Sequence, residues 1–382
     1  MRLFHLSDLH IGIKLYNHDL CEDQEYIFGQ IIEYVKEYQP DAILIAGDIY
    51  DKPVPSVESV QLFNHFMECL YEACGKAELM LISGNHDSAQ RLDYFSWLLS
   101  YQRVHMAGIP PRRPNEYMKK VTLHDEYGAV NFYLLPFSKP SILRGVFEEE
   151  EASYTYHEAL HQLFAREHID ENERNVLVSH QFYLPLGANP GEVERAESEI
   201  AAVGNIDVIG ADVLTPFDYV ALGHIHKPMT VGENRFRYSG TPLAYSVSEA
   251  NQKKGLLIIE LGKKGKEIDI MTLPLTPKRK VVAIEDTFEN VQRQASEDYV
   301  HITLTDTEDL EVVDLQERLH LAFPNLLEIR RKNVRGMEFS NDEIALATAN
   351  PFDLICEFIP DMDEEEKEIL QSVINEAMEV GE

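Results

Sequence analysis

Five short polar motifs, each directly behind an apolar stretch, constrain this chain more than any other feature of its sequence. The apolar stretches cover residues 3–6, 42–46, 79–82, 176–178 and 219–222 and have the length and composition of buried β-strands. The motifs are Asp8-Leu9-His10, Gly47-Asp48-Ile49-Tyr50-Asp51, Gly84-Asn85-His86-Asp87, Ser179-His180 and Gly223-His224-Ile225-His226. Because α/β proteins place ligand sites at strand ends, the pattern predicts an α/β fold with one site built from five loops.

The motifs combine carboxylate, imidazole and amide side chains. Asp8 and His10 are two residues apart, as are His224 and His226, so in extended backbone each pair points to one side. Imidazole favours Mn²⁺, Fe²⁺ or Zn²⁺ over Mg²⁺. Two metals about 3.5–4 Å apart can activate a bridging water and hold phosphate oxygens, and Asp48 is the natural bridging carboxylate.

A single histidine would be weak evidence, because the chain has 15 of them. The prediction therefore rests on five motifs in a fixed order. Glycines at positions 47, 84 and 223 are expected to let the chain turn tightly before each ligand.

The order DxH, GDxxD, GNH(D/E), lone His and GHxH resembles the calcineurin-like metallophosphoesterase superfamily. The resemblance implies a four-layer αββα sandwich with two facing sheets. It also implies two divalent metal ions with a shared ligand. One ion would be held by Asp8, His10, Asp48 and His226, and the other by Asp48, Asn85, His180 and His224. His86 would be the catalytic histidine, and Asp87 would orient it.

Within the superfamily, the chain is similar to the SbcD family of bacterial nuclease subunits. The likeness is carried by Ser83-Gly-Asn-His-Asp-Ser88, by Gly223-His-Ile-His-Lys-Pro228, and by Tyr238-Ser-Gly-Thr-Pro-Leu-Ala-Tyr-Ser246 followed by Glu249. It implies a Mn²⁺-dependent DNA nuclease in repair, recombination and replication. The expected activities are 3′-to-5′ exonuclease on duplex ends and endonuclease on single strands and hairpins. The expected partner is the ATPase subunit SbcC.

The resemblance further implies a homodimer, within a heterotetramer, joined through the helices after the second and third motifs. Those helices carry Leu62, Phe66, Phe95 and Leu98. Packing of these side chains inside their own domain is the alternative.

The chain divides into three parts. Residues 1–275 form the predicted nuclease domain, 276–340 a small α/β capping domain and 341–382 a helical, partner-binding tail. Basic clusters at residues 278–280 and 330–332, with Arg335, are candidates for phosphate contacts, although solvated surface charge explains them equally well. The tail helices either dock on SbcC or pack against the second domain.

The net charge of −32 and the absence of a long apolar run bear on the localisation of the protein and on the alternative functions. No apolar run approaches the roughly 20 residues of a membrane helix, and the N-terminus lacks a signal-peptide pattern, so a cytoplasmic protein without a membrane partner is expected. The acidic charge favours a stand-alone phosphodiesterase acting on a small molecule, whereas the extra domain and tail argue against it. The complete ligand set argues against a non-enzymatic scaffold.

Overall fold

The computed structural model describes residues 1–147, 155–185, 187, 208–306, 312–332, 367 and 370. The strands in this part of the chain are β1 Arg2–Leu6, β2 Lys14–Leu15, β3 His18–Asp19, β4 Ala42–Ala46, β5 Glu78–Ile82, β6 Val104–Ala107, β7 Lys119–Asp125, β8 Gly128–Leu135, β9 Arg174–His180, β10 Tyr183–Leu184, β11 Ile209–Gly210, β12 Tyr219–Gly223, β13 Met229–Val231, β14 Glu233–Tyr238, β15 Gly255–Glu260, β16 Asp269–Pro274, β17 Val281–Asp286, β18 Tyr299–Leu304 and β19 Leu326–Arg331. The helices are α1 Cys21–Tyr38, α2 Val57–Ala73, α3 Ala89–Leu92, α4 Ser96–Leu99, α5 Pro140–Leu143, α6 Tyr156–Arg166, α7 Phe288–Val291 and α8 Val312–Ala322.

Two six-stranded sheets form the body of the molecule. The first has the order β16-β15-β1-β4-β5-β6, and the second has the order β13-β14-β12-β9-β8-β7. Strands β1, β4, β5 and β6 run parallel in the first sheet, as do β8, β9, β12 and β14 in the second. The carboxyl ends of the parallel strands therefore gather at one edge of each sheet.

The alternation of side chains along the strands creates the layers. In β4, Leu44 packs between the sheets, while Ile43 and Ile45 face the helices on the outside. In β9, Val176 faces the other sheet, and Leu177 joins the second outer core with α6. Since both faces of each sheet are covered at its centre, central strands such as β4 and β12 are fully buried and apolar. The predicted four-layer αββα sandwich is confirmed.

Helix α2 packs on α1 in the first outer layer, where the rings of Phe66 and Phe28 are stacked with centroids 4.3 Å apart. Phe66 is only 1% exposed, so of the two alternatives it follows packing inside its own domain and not a dimer surface. Leu62 also packs against this core.

The segment of residues 89–99, which follows the third motif, forms two short helices instead of one. Phe95 adopts a left-handed backbone with φ 60°, which separates α3 from α4. The carboxylate of Asp93, just before this break, accepts the backbone N–H of Gly108 at 3.2 Å. As a consequence, Phe95 and Leu98 are about half exposed (51% and 48%).

The three parallel strands β17, β18 and β19, with α7 and α8, form a small unit with its own core. It is tied to α1 through Asp23, whose carboxylate accepts from Arg279 at 2.6 Å and from the hydroxyl of Tyr299 at 2.8 Å. Lys278 pairs with Glu22. Two of the three basic residues at positions 278–280 therefore bind acids of α1, which favours a structural role for them over phosphate contacts.

In the second basic cluster, Arg330 pairs with Glu328 and Lys332 with Glu285. Arg335 lies outside the described residues, and so do the predicted partner-binding helices of residues 341–382 apart from residues 367 and 370. Within the described part of the chain, no helix has the length and apolar character needed to cross a membrane.

Candidate active site

The five motifs meet at one edge of the sandwich, because each follows the carboxyl end of a parallel strand. Strands β1, β4 and β5 lead into the first three motifs, and β9 and β12 lead into the last two. Every predicted site residue lies in this cluster. The buried ones are Asp8, His10, Asp48, Asp87, His180, His224 and His226, and the half-buried ones are Asn85 and His86.

The backbone at the site is held in an uncommon conformation. Asp8, His10, Asp48 and His224 all have positive φ, at 52°, 41°, 48° and 104°. Such residues cost about 1–3 kcal/mol each and persist where surrounding contacts hold them. Here the N–H of Asp8 bonds to the carbonyl of Gly47 at 3.0 Å, and the N–H of His224 bonds to Asp8 Oδ1 at 3.0 Å. The loops therefore lock one another in place.

At two of the motif glycines, neighbouring atoms lie too close for a side chain, and this crowding requires glycine more than a turn does. A Cβ on Gly84 would lie 2.1 Å from Asp48 Oδ1, and one on Gly223 would lie 1.9 Å from the carbonyl oxygen of Ala46. Gly47 has φ +88°, so it alone of the three also fits the predicted turn conformation. The prediction that all three serve as turn residues was correct for Gly47 and gave the wrong reason for the other two.

Asp48 lies between two groups of potential ligands. Its Oδ2 is 3.5 Å from Nε2 of His10 and 3.2 Å from Nε2 of His180. His10 Nε2 in turn lies 3.1 Å from His226 Nε2. Potential ligand atoms lie within 4.8 Å of one another in Asp8, His10 and His226, in Asp8, Asp48 and His180, and in His10, Asp48 and His86.

The second group is joined through an amide oxygen. Asn85 Oδ1 lies 3.0 Å from His180 Nε2 and 3.0 Å from His224 Nδ1. On the far side of its ring, His180 Nδ1 contacts the carbonyl oxygen of Ala46 at 2.7 Å. Since a carbonyl can only accept, Nδ1 carries a hydrogen, and Nε2 is the ring nitrogen that faces the oxygens of Asp48 and Asn85.

Burial and neighbouring charges shift the pKa values of the residues in this cluster. Burial raises the pKa of Asp8 and lowers the pKa of His10 well below its usual value. For Asp48, burial alone would raise the pKa, but the surrounding imidazoles, led by His180, outweigh it and hold the pKa well below the usual range. Nδ1 of His10 is buried without a hydrogen bond. Two desolvated carboxylates facing converging imidazole nitrogens fit divalent cations.

His86 and Asp87 differ from their predicted relationship. Asp87 accepts backbone N–H groups of Ile49, Tyr50 and Gly84 at 2.9–3.0 Å, and burial raises its pKa to about 6. Nδ1 of His86 instead contacts the backbone carbonyl of Asp51 at 2.9 Å. The prediction that Asp87 orients the ring of His86 is therefore corrected, because the carboxylate is engaged by the loop backbone. Asp87 shapes the loops, and Asp51 positions His86.

Sequence reasoning missed a group of buried residues behind the site. Gln24 Nε2 donates to the carbonyl oxygens of Leu9 and His10 at 3.1 and 2.9 Å, and Tyr245 also donates to Leu9. Glu249 lies 3.5 Å from His226 Nδ1. The sequence marks residues 238–249 only as a family signature, and that signature could have suggested the position of Tyr245 and Glu249 but not that of Gln24.

The comparisons with known proteins agree with this architecture. The family model of calcineurin-like phosphoesterases matches residues 1–228, and the model described as a type 5 capsule protein repressor C-terminal domain matches residues 277–362. The chain is 34% identical to the D subunit of the nuclease SbcCD of Staphylococcus saprophyticus subsp. saprophyticus, over 86% of this chain and 84% of that protein. It is 30% identical to the D subunit of the nuclease SbcCD of Staphylococcus epidermidis, over 86% and 85%.

Both family matches fall on the parts of the chain that the structure separates. The first covers all five motifs and every strand of the two six-stranded sheets except β13 to β16, and the second begins just before β17 in the small unit. With a ligand cluster of the expected composition and relatives that span most of the chain, the protein belongs to the calcineurin-like phosphoesterase family, among the SbcCD nuclease D subunits, and is a phosphodiester hydrolase.

Proposed function

We propose that this chain is the DNA-cutting subunit of an ATP-driven SbcCD complex and that it works with two Mn²⁺ ions. The observation that carries the proposal is the position of Asp48, whose carboxylate faces His10 on one side and His180 on the other. One carboxylate between two ligand groups is the arrangement that a pair of metals sharing a ligand requires. The proposed substrate and assembly follow the name of the Staphylococcus relatives.

The residues present fit two metal sites. Asp8, His10, Asp48 and His226 would hold one ion, and Asp48, Asn85, His180 and His224 would hold the other. Mixed imidazole and carboxylate donors suit Mn²⁺ better than Mg²⁺. When bound, such a pair supplies a water nucleophile at neutral pH and neutralises charge on the phosphate oxygens.

His86 is proposed to act on the leaving group or on the charge of the phosphate. The carbonyl of Asp51 can only accept, so it keeps the hydrogen on Nδ1 and leaves Nε2 for the substrate. The rings of His86 and His10 meet edge to face with centroids 4.8 Å apart, which places His86 directly beside the ligands. Its half-buried position would let it reach the substrate.

The proposed activities are 3′-to-5′ exonuclease on duplex ends and endonuclease on single strands and hairpins. They would serve DNA repair, recombination and replication in the cytoplasm, at the nucleoid. The strongly acidic composition keeps a small-molecule phosphodiesterase as the second candidate. A net charge of −32 opposes a long polyanion unless the partner subunit supplies part of the DNA contact.

A homodimer is proposed to form through the surface around α4. This aromatic patch consists of Tyr94, Phe95, Trp97, Leu98 and Tyr101, which are 48–77% exposed. Contiguous exposed apolar side chains of this size mark protein interaction sites. The aromatic patch includes Phe95 and Leu98, which were predicted for the dimer surface. It does not include Phe66 and Leu62, the other two residues named there. The capping role of residues 276–340 and SbcC binding by residues 341–382 remain proposals.

The test is cleavage of an end-labelled hairpin DNA by the purified chain with Mn²⁺, with and without SbcC and ATP. We expect cleavage that requires Mn²⁺, rises with SbcC and ATP, and is lost in His86→Ala. A small chromogenic phosphodiester serves as the second substrate. Hydrolysis of that compound with intact DNA under all conditions would replace the nuclease by the small-molecule phosphodiesterase.

A further inference from the structure

A buried ion pair lies directly behind the ring of His226. Glu249 is 0% exposed and Lys254 is 7% exposed, and Lys254 Nζ donates to Glu249 Oε2 at 2.6 Å. Neither residue belongs to the five motifs. Together they occupy the space between the turn after β14 and the loop after β12.

Stability alone does not account for this pair. Lysine and glutamate are rarely buried, because removing their charges from water costs several kcal/mol. Replacing a buried ion pair by neutral side chains of similar volume is often neutral or stabilising. A pair buried beside a proposed ligand therefore points to a role in placing that ligand.

The two ring nitrogens of His226 face different groups. Nε2 faces the ligand cluster, 3.1 Å from His10 Nε2, and Nδ1 lies 3.5 Å from Glu249 Oε1. A carboxylate can only accept, so this contact favours the tautomer with hydrogen on Nδ1. That tautomer turns the Nε2 lone pair toward the cluster.

The carboxylate itself is held on both oxygens. Ser246 Oγ donates to Glu249 Oε1 at 3.0 Å, and Thr241 Oγ1 donates to Oε2 at 2.9 Å. The ammonium of Lys254 also donates to the backbone carbonyl of His226 at 3.0 Å. Lys254 thus fixes both the main chain of His226 and the carboxylate that faces its ring.

We propose that Glu249 and Lys254 form a positioning pair that sets the ring orientation and tautomer of His226 for a divalent cation. The proposal rests on the proposed function, since the cation is the one assigned to Asp8, His10, Asp48 and His226. Carboxylates behind a ligating imidazole raise its basicity, and their loss typically weakens metal binding about 10–100-fold.

The first experiment titrates Mn²⁺ into the metal-free chain by calorimetry, without substrate. In Glu249→Gln, which keeps the shape and removes the charge, one Mn²⁺ should bind about 10–100-fold more weakly and the other as in wild type. Glu260→Gln is the matched control, because this exposed carboxylate pairs with Arg2 far from the ligands and should leave both affinities unchanged. Two unchanged affinities in Glu249→Gln would overturn the proposal.

The double variant Glu249→Gln with Lys254→Met separates positioning from folding. It removes both charges together, so its melting temperature without metal should recover relative to Glu249→Gln alone. The weakened Mn²⁺ affinity should not recover. If affinity returned together with stability, the pair would have a structural role only.

The tautomer of His226 gives a readout that needs no metal. Nitrogen-15 NMR of the metal-free wild-type chain should show hydrogen on Nδ1 of His226, and Glu249→Gln should shift the tautomer equilibrium. Hydrogen on Nε2 in the wild type would contradict the positioning role. Failure of the wild type to bind two Mn²⁺ would instead count against the proposed function, and the tautomer would still decide the role of Glu249.

Discussion

Asp48 holds the main chain of His86, because its Oδ1 accepts the backbone N–H of His86 at 2.9 Å while its Oδ2 faces the rings of His180 and His10. The proposed bridging ligand and the proposed catalytic histidine are thus mechanically linked. A change at Asp48 can act on the metals, on His86 or on both, and the two effects need separate variants.

Replacing Asp48 by asparagine should separate them. The amide oxygen can still accept the N–H of His86, but the negative charge shared by two metals is lost. We expect both Mn²⁺ ions to be lost from the purified protein and cleavage to fall to background, as measured by elemental analysis and a nuclease assay. Asp269→Asn, an exposed change on β16, is the control. Retention of one full metal equivalent would contradict the bridging role.

Replacing His86 by glutamine should reduce cleavage without loss of metal. We expect the cleavage rate to fall by about 10²–10⁴, the usual contribution of a general acid or base, with the Mn²⁺ content unchanged. His86 also lies within ligand distance of His10 and Asp48, so its exclusion from the ligand set can be tested. Metal loss in proportion to activity would make His86 a ligand.

Two glycine-to-alanine substitutions should change the stability of the protein in opposite directions. In Gly84→Ala, the new Cβ would lie 2.1 Å from Asp48 Oδ1 and 2.4 Å from the Asp48 backbone nitrogen, so the site must move. We expect a lower melting temperature and weaker Mn²⁺ binding. Gly29 lies in α1 with nothing within 4 Å of its Cβ position, so Gly29→Ala should stabilise the protein by about 0.5–1 kcal/mol. Equal effects would show that crowding at Asp48 is not the cause.

A buried ion pair far from the site should make stability depend on pH. The guanidinium of Arg174, 2% exposed, donates to both oxygens of Asp125 and lowers the pKa of that carboxyl. Because the pKa is depressed in the folded state, the stabilisation is complete above the ordinary value of about 3.9 and is lost as the pH falls through the folded value.

Asp125→Asn should therefore destabilise the protein by about 3 kcal/mol at pH 7, because it leaves a buried guanidinium without its anion. Thermal unfolding should give a constant difference from wild type between pH 7 and pH 5, narrowing below about pH 3.9. Glu260→Gln, which breaks the exposed pair with Arg2, should cost no more than about 1 kcal/mol. A difference that grew on acidification would refute the assignment.

The aromatic patch should control the oligomeric state. Trp97→Glu and Leu98→Glu place a charge on side chains that are 65% and 48% exposed, so neither should disturb the core. Sedimentation should show a dimer for the wild type and a monomer for each variant, with Mn²⁺ content preserved. Leu321→Glu, an exposed change in the small unit, should remain dimeric. A monomeric wild type would end the proposal of a dimer through this surface.

Several elements could be predicted because their signals are local. Strand β4 begins and ends at the predicted residues 42–46, since its apolar run is short and clearly bounded. The start of α2 also has a local signal, because Ser56 is a preferred N-cap residue and accepts the N–H of Ser59 at 3.2 Å. The hairpin of β7 and β8 turns next to Gly128, where glycine is favoured in turns.

Other elements were not predicted. Strand β15 is defined by its pairing with β1, which lies far away in the sequence. Helix α6 does have a local signal, the capping box of Thr155 and Glu158, which the prediction missed. The break before α4 occurs at the left-handed backbone of Phe95, which helical periodicity does not show. The burial of Phe66 follows from stacking on Phe28 of a separate helix.

The sequence by itself determined the α/β fold class and which polar side chains gather at one edge of the sandwich, because a motif at the end of a strand lies at the edge where that strand ends. Only the tertiary structure decided how those side chains are held. The carboxylate of Asp87 accepts from the loop backbone, and the carbonyl of Asp51 contacts His86 instead. Glu249 and Lys254 lie behind His226. The physical reason is that a ligand is set by one residue's chemistry, whereas its orientation is set by partners that only three-dimensional packing brings near.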